Sequence, residues 1–335
     1  MSFPLSAYIA AAISGFLVAF FSARLWGGWC EAAGHVDDPG RRKIHSEPVV
    51  LSGGLAVMTG IVLPLLAAAA WLWFANPSNP FPSAPPLAET PSALLGYGLG
   101  KRAVQLLAIL VGGAAMLLLG WYDDRHELKP LPKLAGQTLV ACLVAAAGVR
   151  VTLFVPNVLF SYGVTVLWIL TIVNAMNFID NMNGLCAGIS VIAATFFAIL
   201  AARAGQYLVA SVAFLAAGSF AGFLPHNFPK ARAFLGDAGS HLAGFLLAVL
   251  AVLPHFYWDA RPRRLAVLAP LFVLAVPLAD IARVVLLRTL AGKPFYVGDT
   301  NHISHWLVRK GLSRPRAVML IWAVAIVLGA VTLLA

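Results

Sequence analysis

The chain has 335 residues, of which 61% are hydrophobic and only 11% charged, and it carries a formal net charge of +10. An ordinary soluble domain has about a quarter of its residues charged, so this balance excludes a soluble enzyme and identifies a polytopic membrane protein. The apolar runs are long and continuous rather than alternating. Backbone groups in lipid must be satisfied within the segment, so the spans are helices, not barrel strands, and the fold class is all-α.

Apolar runs separated by polar or proline-rich breaks predict ten transmembrane helices near 4–25, 51–74, 103–120, 134–149, 158–177, 184–203, 207–224, 238–256, 264–287 and 316–335. They form a single membrane-embedded domain over 1–335. The first run has no basic residue before Arg24 and reads as a retained helix rather than a signal peptide. The stretch from Asn76 to Pro91, rich in Pro and Ser, reads as an external loop without chemistry. An even number of spans puts both termini on one side. Most of the 23 Lys and Arg fall in the loops on the other side, which the positive-inside rule makes cytoplasmic. All of the 13 acids except Glu89 and Asp259 gather on that same face or at its rim. The rule does not require this of acids, so both signs of charge on one face point to a site there. Cys30, Cys142 and Cys186 lack metal-ligand spacing and read as core thiols.

Five polar clusters follow one another on this inner face. The first, Val36-Asp37-Asp38-Pro39-Gly40-Arg41-Arg42-Lys43-Ile44-His45, leads to Gly53-Gly54 at the start of the second helix. Bases ahead of a glycine-rich helix start suit a phosphate, while the glycine pair equally suits helix packing. The second is Gly120-Trp121-Tyr122-Asp123-Asp124, where the run from Ala103 to Gly120 meets a basic loop ending at Lys133. Adjacent carboxylates repel unless a cation holds both ionised, so the pair points to metal or proton chemistry. Lys133 and Gln137, four apart, share a helix face directed back toward the acids.

The third cluster places Asn174, Asn177 and Asp180 three residues apart, followed by Asn181, Asn183 and Gly184. This spacing makes a slowly drifting polar stripe at a helix end, which either bonds between helices or faces a polar ligand. The fourth, Phe234-Leu235-Gly236-Asp237-Ala238-Gly239-Ser240, combines an aromatic ring, small residues and one acid at a helix start. The fifth, Asp299-Thr300-Asn301-His302-Ile303-Ser304-His305, lies among Arg288, Lys293, Arg309 and Lys310. Without a third ligand of zinc type, its histidines read as phosphate binders. Inside the ninth helix, Asp280 and Arg283 read as an intramembrane ion pair or a functional acid.

In this order the clusters resemble those of the polyprenyl-phosphate N-acetylhexosamine-1-phosphate transferase family, glycosyltransferase family 4. The motifs VDDPGRRKIH, GWYDD, NAMNFIDNMNGL, FLGDAGS and DTNHISH cover nearly the whole chain. The chain looks closer to the bacterial undecaprenyl-phosphate GlcNAc-1-phosphate transferases than to the phospho-MurNAc-pentapeptide transferases, because Ser304 interrupts the histidine run usual in the latter. The family's DGxDGL is here Asp180-Asn181-Met182-Asn183-Gly184-Leu185, with an amide for the second acid. That departure bears on the nucleobase contact and the choice of sugar.

The resemblance implies transfer of N-acetylglucosamine 1-phosphate, or a related HexNAc 1-phosphate, from a UDP-sugar to undecaprenyl phosphate, with release of UMP. This is the first membrane step of a cell-envelope polysaccharide. It implies Mg²⁺, with Mn²⁺ as a substitute, and a bacterial inner membrane with external termini and cytoplasmic catalytic loops. No nucleic-acid partner is expected, and a homodimer is compatible. The implied catalytic acids are Asp123, Asp124 and Asp180, and the implied metal ligands Asp237, Asp123 and Asp124. Lys43, Asn174, Asn177, Asn183, Phe234 and Gly236 would surround the nucleotide-sugar. Lys133, Arg288, His302 and His305 would hold phosphates. The alternatives are a phospho-MurNAc-pentapeptide transferase and, in a different class, a transporter of an anionic metabolite or lipid. Against transport, the polar residues do not continue to the other face and no repeated halves are visible.

Overall fold

The structure is a computed structural model, and it describes residues 5–38, 47–75, 79–82, 91–151, 155, 157–254, 267–294, 296 and 300–334. Lys43, the bases beside it, and most of the loop between Asn76 and Pro91 lie outside the described residues, as does Asp299. The described residues form α1 (Leu5–Ala32), α2 (Gly53–Ala75), α3 (Pro91–His126), α4 (Pro130–Ala146), α5 (Val158–Ile179), α6 (Leu185–Arg203), α7 (Tyr207–Asn227), α8 (Gly236–Leu250), α9 (Ala269–Val273), α10 (Ala275–Leu290), α11 (Ile303–Arg309) and α12 (Arg314–Val331). Two short strands, β1 (Val36–Asp37) and β2 (Val49–Val50), pair antiparallel with Val36 opposite Val50.

The ten expected segments return as α1 to α8, the α9/α10 pair and α12. Seven of them, α1, α2, α3, α5, α6, α7 and α12, are long and apolar enough to cross a membrane, whereas α4 and α8 are shorter apolar helices. The protein is therefore an all-α, multi-pass membrane protein. Large side chains such as Leu25, Trp71, Leu118, Leu159 and Val327 stay exposed on its flanks, as expected of helices whose outer faces meet lipid rather than water.

Two boundaries differ from the sequence reading in ways that matter. Helix α3 runs on through Asp123 and Asp124 to His126, with non-helical dihedrals at Arg102 near its start. The acid pair therefore belongs to the last turns of a helix and not to the loop after it. Helix α4 likewise begins at Pro130, and its fixed proline φ suits a first turn, so Lys133 stands inside that turn.

Helix α8 occupies the centre. Every residue from Ala238 to Leu250 is buried, with α3 and α5 as its main neighbours and α2 and α6 alongside. A helix apolar all round must be sheathed all round, and its N-terminal end is where Asp237 emerges. The glycines at the head of α2 make this possible: a Cβ on Gly54 would come within 2.8 Å of the Gly239 backbone nitrogen. Of the two readings open for Gly53-Gly54, the geometry supports helix packing. A parallel bridge between Val50 and Ala233 ties β2 to the segment that leads into α8, and Gly53 N–H donates to the Phe234 carbonyl at 3.0 Å.

The start of α1 and the end of α12 both lie against the α6–α7 junction, away from this centre. Tyr8 packs with Ala201, Val209 and Ala210 at the α6–α7 junction, and Arg203 at the end of α6 donates to the Leu333 carbonyl. Because α6 starts beside the polar cluster at Gly184, the start of α1 and the end of α12 stand at the opposite end of the bundle from that cluster.

Candidate active site

The ends of α3, α4 and α5 converge at the start of α8. From α3, Asp123 is 5% exposed and its Oδ1 accepts from Leu128 N–H at 2.7 Å. From α4, Lys133 Nζ lies 2.6 Å from Asp123 Oδ2 and 3.2 Å from Asp237 Oδ2. From α5, Asn177 accepts from Lys133 at 3.3 Å and donates to Asp237 Oδ1 at 2.5 Å and to Ser240 Oγ at 3.0 Å. Two carboxylates this close in a half-dry setting require positive charge between them, and Lys133 supplies it.

Asp124 is placed differently. Its Oδ1 accepts from Asp237 N–H at 2.7 Å and its Oδ2 from Ala238 N–H at 3.1 Å. Leu235, the residue preceding α8, offers no capping side chain, so a carboxylate from α3 caps this helix in its place. Gly236 allows the approach: its φ is +66°, and a Cβ there would lie 2.8 Å from an Asp124 oxygen. Behind Asp124 stands His35, 1% exposed, with Nε2 4.0 Å from Asp124 Oδ2. Burial, and then the nearby Arg125 charge, push the His35 pKa down to about 4. The ring is neutral at pH 7, and this contact is not an ion pair. Arg125 stacks on Trp121 and donates to the Ala33 carbonyl, which fixes the end of α3 against the end of α1.

The polar stripe of α5 divides between two tasks. Asn174 lies one turn deeper than Asn177, where its amide donates to Gln137 Oε1 and to the Leu170 carbonyl, both at 2.8 Å. Gln137, fully buried, in turn approaches His241 of α8. Asn177 serves Asp237 directly. Asp180, just past the end of α5, has its pKa pushed up to about 8, first by burial and then by the negative charges of Asp237 and Asp124. Asn183 donates to the Pro229 carbonyl at 3.2 Å, at the exposed rim.

A second cluster adjoins the first through Phe178, the neighbour of Asn177. Asp280 of α10 accepts from His302 Nδ1 at 2.7 Å and from Ile303 N–H at 2.7 Å. It thus fixes the His302 ring and caps α11 at once. This replaces the expected Asp280–Arg283 pair, since Arg283 instead donates to the Asn301 carbonyl. The Arg288 guanidinium lies 5.1 Å from the Phe178 ring centre, and His302 meets the same ring edge-on. His305 is 6.1 Å from His302, ring to ring. Its pKa is lowered, first by burial and then by the charges of His302, Arg309 and Arg314. Ser304 Oγ donates to Asn181 Oδ1 at 2.6 Å, which closes α11 onto the end of α5.

The geometry therefore brings together Asp123, Asp124, Lys133, Asn177, Asp180, Gly236 and Asp237, with His302, His305 and Arg288 as an adjoining group. Phe234 and Asn183 stand at the rim, and Asn174 lies beneath. Sequence reasoning missed His241 and His35. His241 had one legible signal, its place four residues after Asp237 on the same helix face. His35 had none.

The residues present fit a divalent cation. Asp123, Asp237 and His241 each offer a ligand atom, all within 4.8 Å of one another. Opposite ligands of an octahedral Mg²⁺ are about 4.2 Å apart, from metal–oxygen bonds of about 2.1 Å.

A multi-helix membrane fold with carboxylates, a lysine and amides gathered at one buried helix start defines a membrane-embedded enzyme class. The model of glycosyl transferase family 4 matches residues 106–255, and the chain belongs to this family. It is 30% identical over 302 residues to a probable undecaprenyl-phosphate N-acetylglucosaminyl 1-phosphate transferase of Bacillus subtilis (strain 168), covering 88% of this chain and 75% of the relative. Decaprenyl-phosphate N-acetylglucosaminephosphotransferase of Mycobacterium tuberculosis (strain ATCC 25618 / H37Rv) is 31% identical over 320 residues, covering 86% and 72%. A phospho-N-acetylmuramoyl-pentapeptide-transferase of Geobacillus kaustophilus (strain HTA426) is 30% identical over 292 residues, covering 82% and 81%.

Proposed function

We propose that this protein transfers N-acetylglucosamine 1-phosphate, or a related HexNAc 1-phosphate, from a UDP-sugar to undecaprenyl phosphate at the cytoplasmic face of a bacterial inner membrane. The observation that carries the reading is Lys133 Nζ, within 3.3 Å of Asp123, Asp237 and Asn177 at the head of the buried helix α8. Both substrates are anionic, so a site that joins them must gather positive charge against their mutual repulsion.

In the reaction a lipid-phosphate oxygen forms a bond to the sugar-linked phosphorus, and the bond from that phosphorus to the UMP oxygen breaks. Asp237 and Asp123 would hold Mg²⁺, or Mn²⁺ in its place. When bound, such a cation would supply charge neutralisation for the diphosphate and for the developing UMP. Asn177 fixes the orientation of the Asp237 carboxylate. Lys133 presents its ammonium to a phosphate oxygen. The second pKa of a phosphate monoester is about 6, so the lipid phosphate is largely ionised already, and Asp123 would act chiefly through the cation and Lys133, which orient it. Asp124 acts through Asp237, whose backbone it holds, and is a positioning residue. His302, with Nδ1 held by Asp280, directs its other nitrogen toward phosphate, beside His305 and Arg288. Phe234 offers its ring to uracil, and Asn183 stands at the nucleotide rim. Asp180 is the third acid of the site. The termini are external, and the working unit is either a single copy or a homodimer.

The test is UMP release by purified protein in detergent with undecaprenyl phosphate, with and without Mg²⁺, across UDP-GlcNAc, other UDP-HexNAc donors and UDP-MurNAc-pentapeptide. Release that needs both lipid and metal is expected. Silence across the whole panel from folded protein would overturn the proposal and favour transport.

A further inference from the structure

We propose that His241 is a third protein ligand of the divalent cation, which biases this site toward Mn²⁺ over Mg²⁺ relative to a site built of carboxylates alone. The inference rests on the metal-binding reading of the Asp123–Asp237 pair and adds a nitrogen donor to it.

Asp237 and His241 are four residues apart on α8 and therefore share a face. That face meets α3 and α4, from which Asp123, Lys133 and Gln137 project. A ring nitrogen of His241 belongs to the group of ligand atoms within 4.8 Å of one another, so modest side-chain adjustments bring all three onto one ion. The ring is wholly buried. Its Nδ1 has no hydrogen-bond partner, and its Nε2 lies 3.5 Å from the Gln137 amide nitrogen, at the outer limit of a hydrogen bond. A buried ring with one nitrogen unpaired and the other loosely held is costly unless something else binds it.

The surroundings supply what a metal-bound imidazole uses. Such a ring normally donates its second N–H to an acceptor; with the metal on Nδ1, a turn of the Gln137 amide would bring Oε1, which already accepts from Asn174, to accept the His241 Nε2–H as well. Gln137 is itself anchored by Asn174 at 2.8 Å. The run Asn174, Gln137, His241 then explains why amides sit a full turn below the phosphate-binding end of α5. Imidazole suits first-row transition ions better than Mg²⁺, which prefers oxygen, and Mn²⁺ is the one among them that also accepts the octahedral oxygen chemistry of Mg²⁺.

The experiment is Mn²⁺ titration of the purified full-length protein, read by electron paramagnetic resonance with electron spin-echo envelope modulation, on protein made with ¹⁴N- or ¹⁵N-histidine. The expected result is one tightly bound Mn²⁺ whose modulation reports a histidine nitrogen and changes with the isotope. That signal should disappear in His241→Ala and in the more conservative His241→Asn while persisting in His302→Ala. The preference for Mn²⁺ over Mg²⁺ in competition should fall roughly tenfold in His241→Ala, the low end of what loss of a supporting group costs a metal site. Bound Mn²⁺ without nitrogen modulation would overturn the His241 assignment and leave the carboxylate metal site intact. Wild-type protein that binds no Mn²⁺ would overturn both. The isotope comparison uses wild-type protein alone, so a variant that fails to fold does not spare the proposal.

Discussion

Two acids adjacent in sequence do different work because successive helical residues point about 100° apart. Asp123 turns toward Lys133 and Asp237, while Asp124 turns toward the α8 backbone. Asp123→Asn should lower UMP release by ~10³-fold, comparable to loss of a main charge-stabilising group. Asp124→Asn keeps one oxygen to accept a backbone N–H. It should retain intermediate activity with a higher half-saturating Mg²⁺ concentration, and equal losses from the two variants would return Asp124 to the groups that touch substrate. Asp180 gives a pH prediction. An Asp raised to about 8 in the fold stays protonated there, while the unfolded chain ionises it near 4. The unfolded state is therefore favoured increasingly as pH climbs from about 4 to about 8, after which the effect levels off. With chelator present, wild-type Tm should fall relative to Asp180→Asn between pH 5 and 8. Parallel Tm profiles would show that Asp180 ionises normally.

At the scale of elements, the site is organised by capping between helices. Asp124 of α3 caps α8, which carries Asp237, and Asp280 of α10 caps α11, which begins next to His302. In each case the orphan N–H groups of a helix start are satisfied by a carboxylate from a neighbour, so the caps also fix how the helices meet. Gly236→Ala tests the first junction. It places an L side chain at φ +66°, at a cost of roughly 1–2 kcal/mol, and thrusts a Cβ against Asp124. The expected outcome is a lower Tm together with a raised Mg²⁺ requirement at temperatures where the variant is folded. An unchanged Mg²⁺ titration would separate the cap from the metal site.

At the scale of the whole molecule, the acid–lysine–amide cluster stands at one end of the bundle, and Tyr8 and Leu333, near the described ends of the chain, stand at the other. The proposed orientation is open to cysteine labelling in a Cys142→Ala background, since Cys30 and Cys186 are buried. A membrane-impermeant thiol reagent applied to intact cells should modify Leu334→Cys and spare Glu127→Cys. The reverse pattern would invert the protein and place the site on the outside.

Fold class and family were legible in the sequence alone. Runs such as Val158–Ile179 have no stable place in water, so hydropathy dictated helices in lipid, and five polar clusters marked the expected working face. The family followed from the same motifs. Only the tertiary structure decided what each polar side chain touches. Nothing in Asp123-Asp124 says which acid meets a cation and which meets a backbone, because that depends on how α3 crosses α8. Asn174 and Asn177 look alike in sequence yet serve a buried amide chain and a carboxylate respectively. Asp280 chose His302, 22 residues away, over Arg283 one turn along its own helix, and His35 reached Asp124 across 89 residues. Such pairings are set by the packing of helices distant in sequence, which periodicity and composition do not encode.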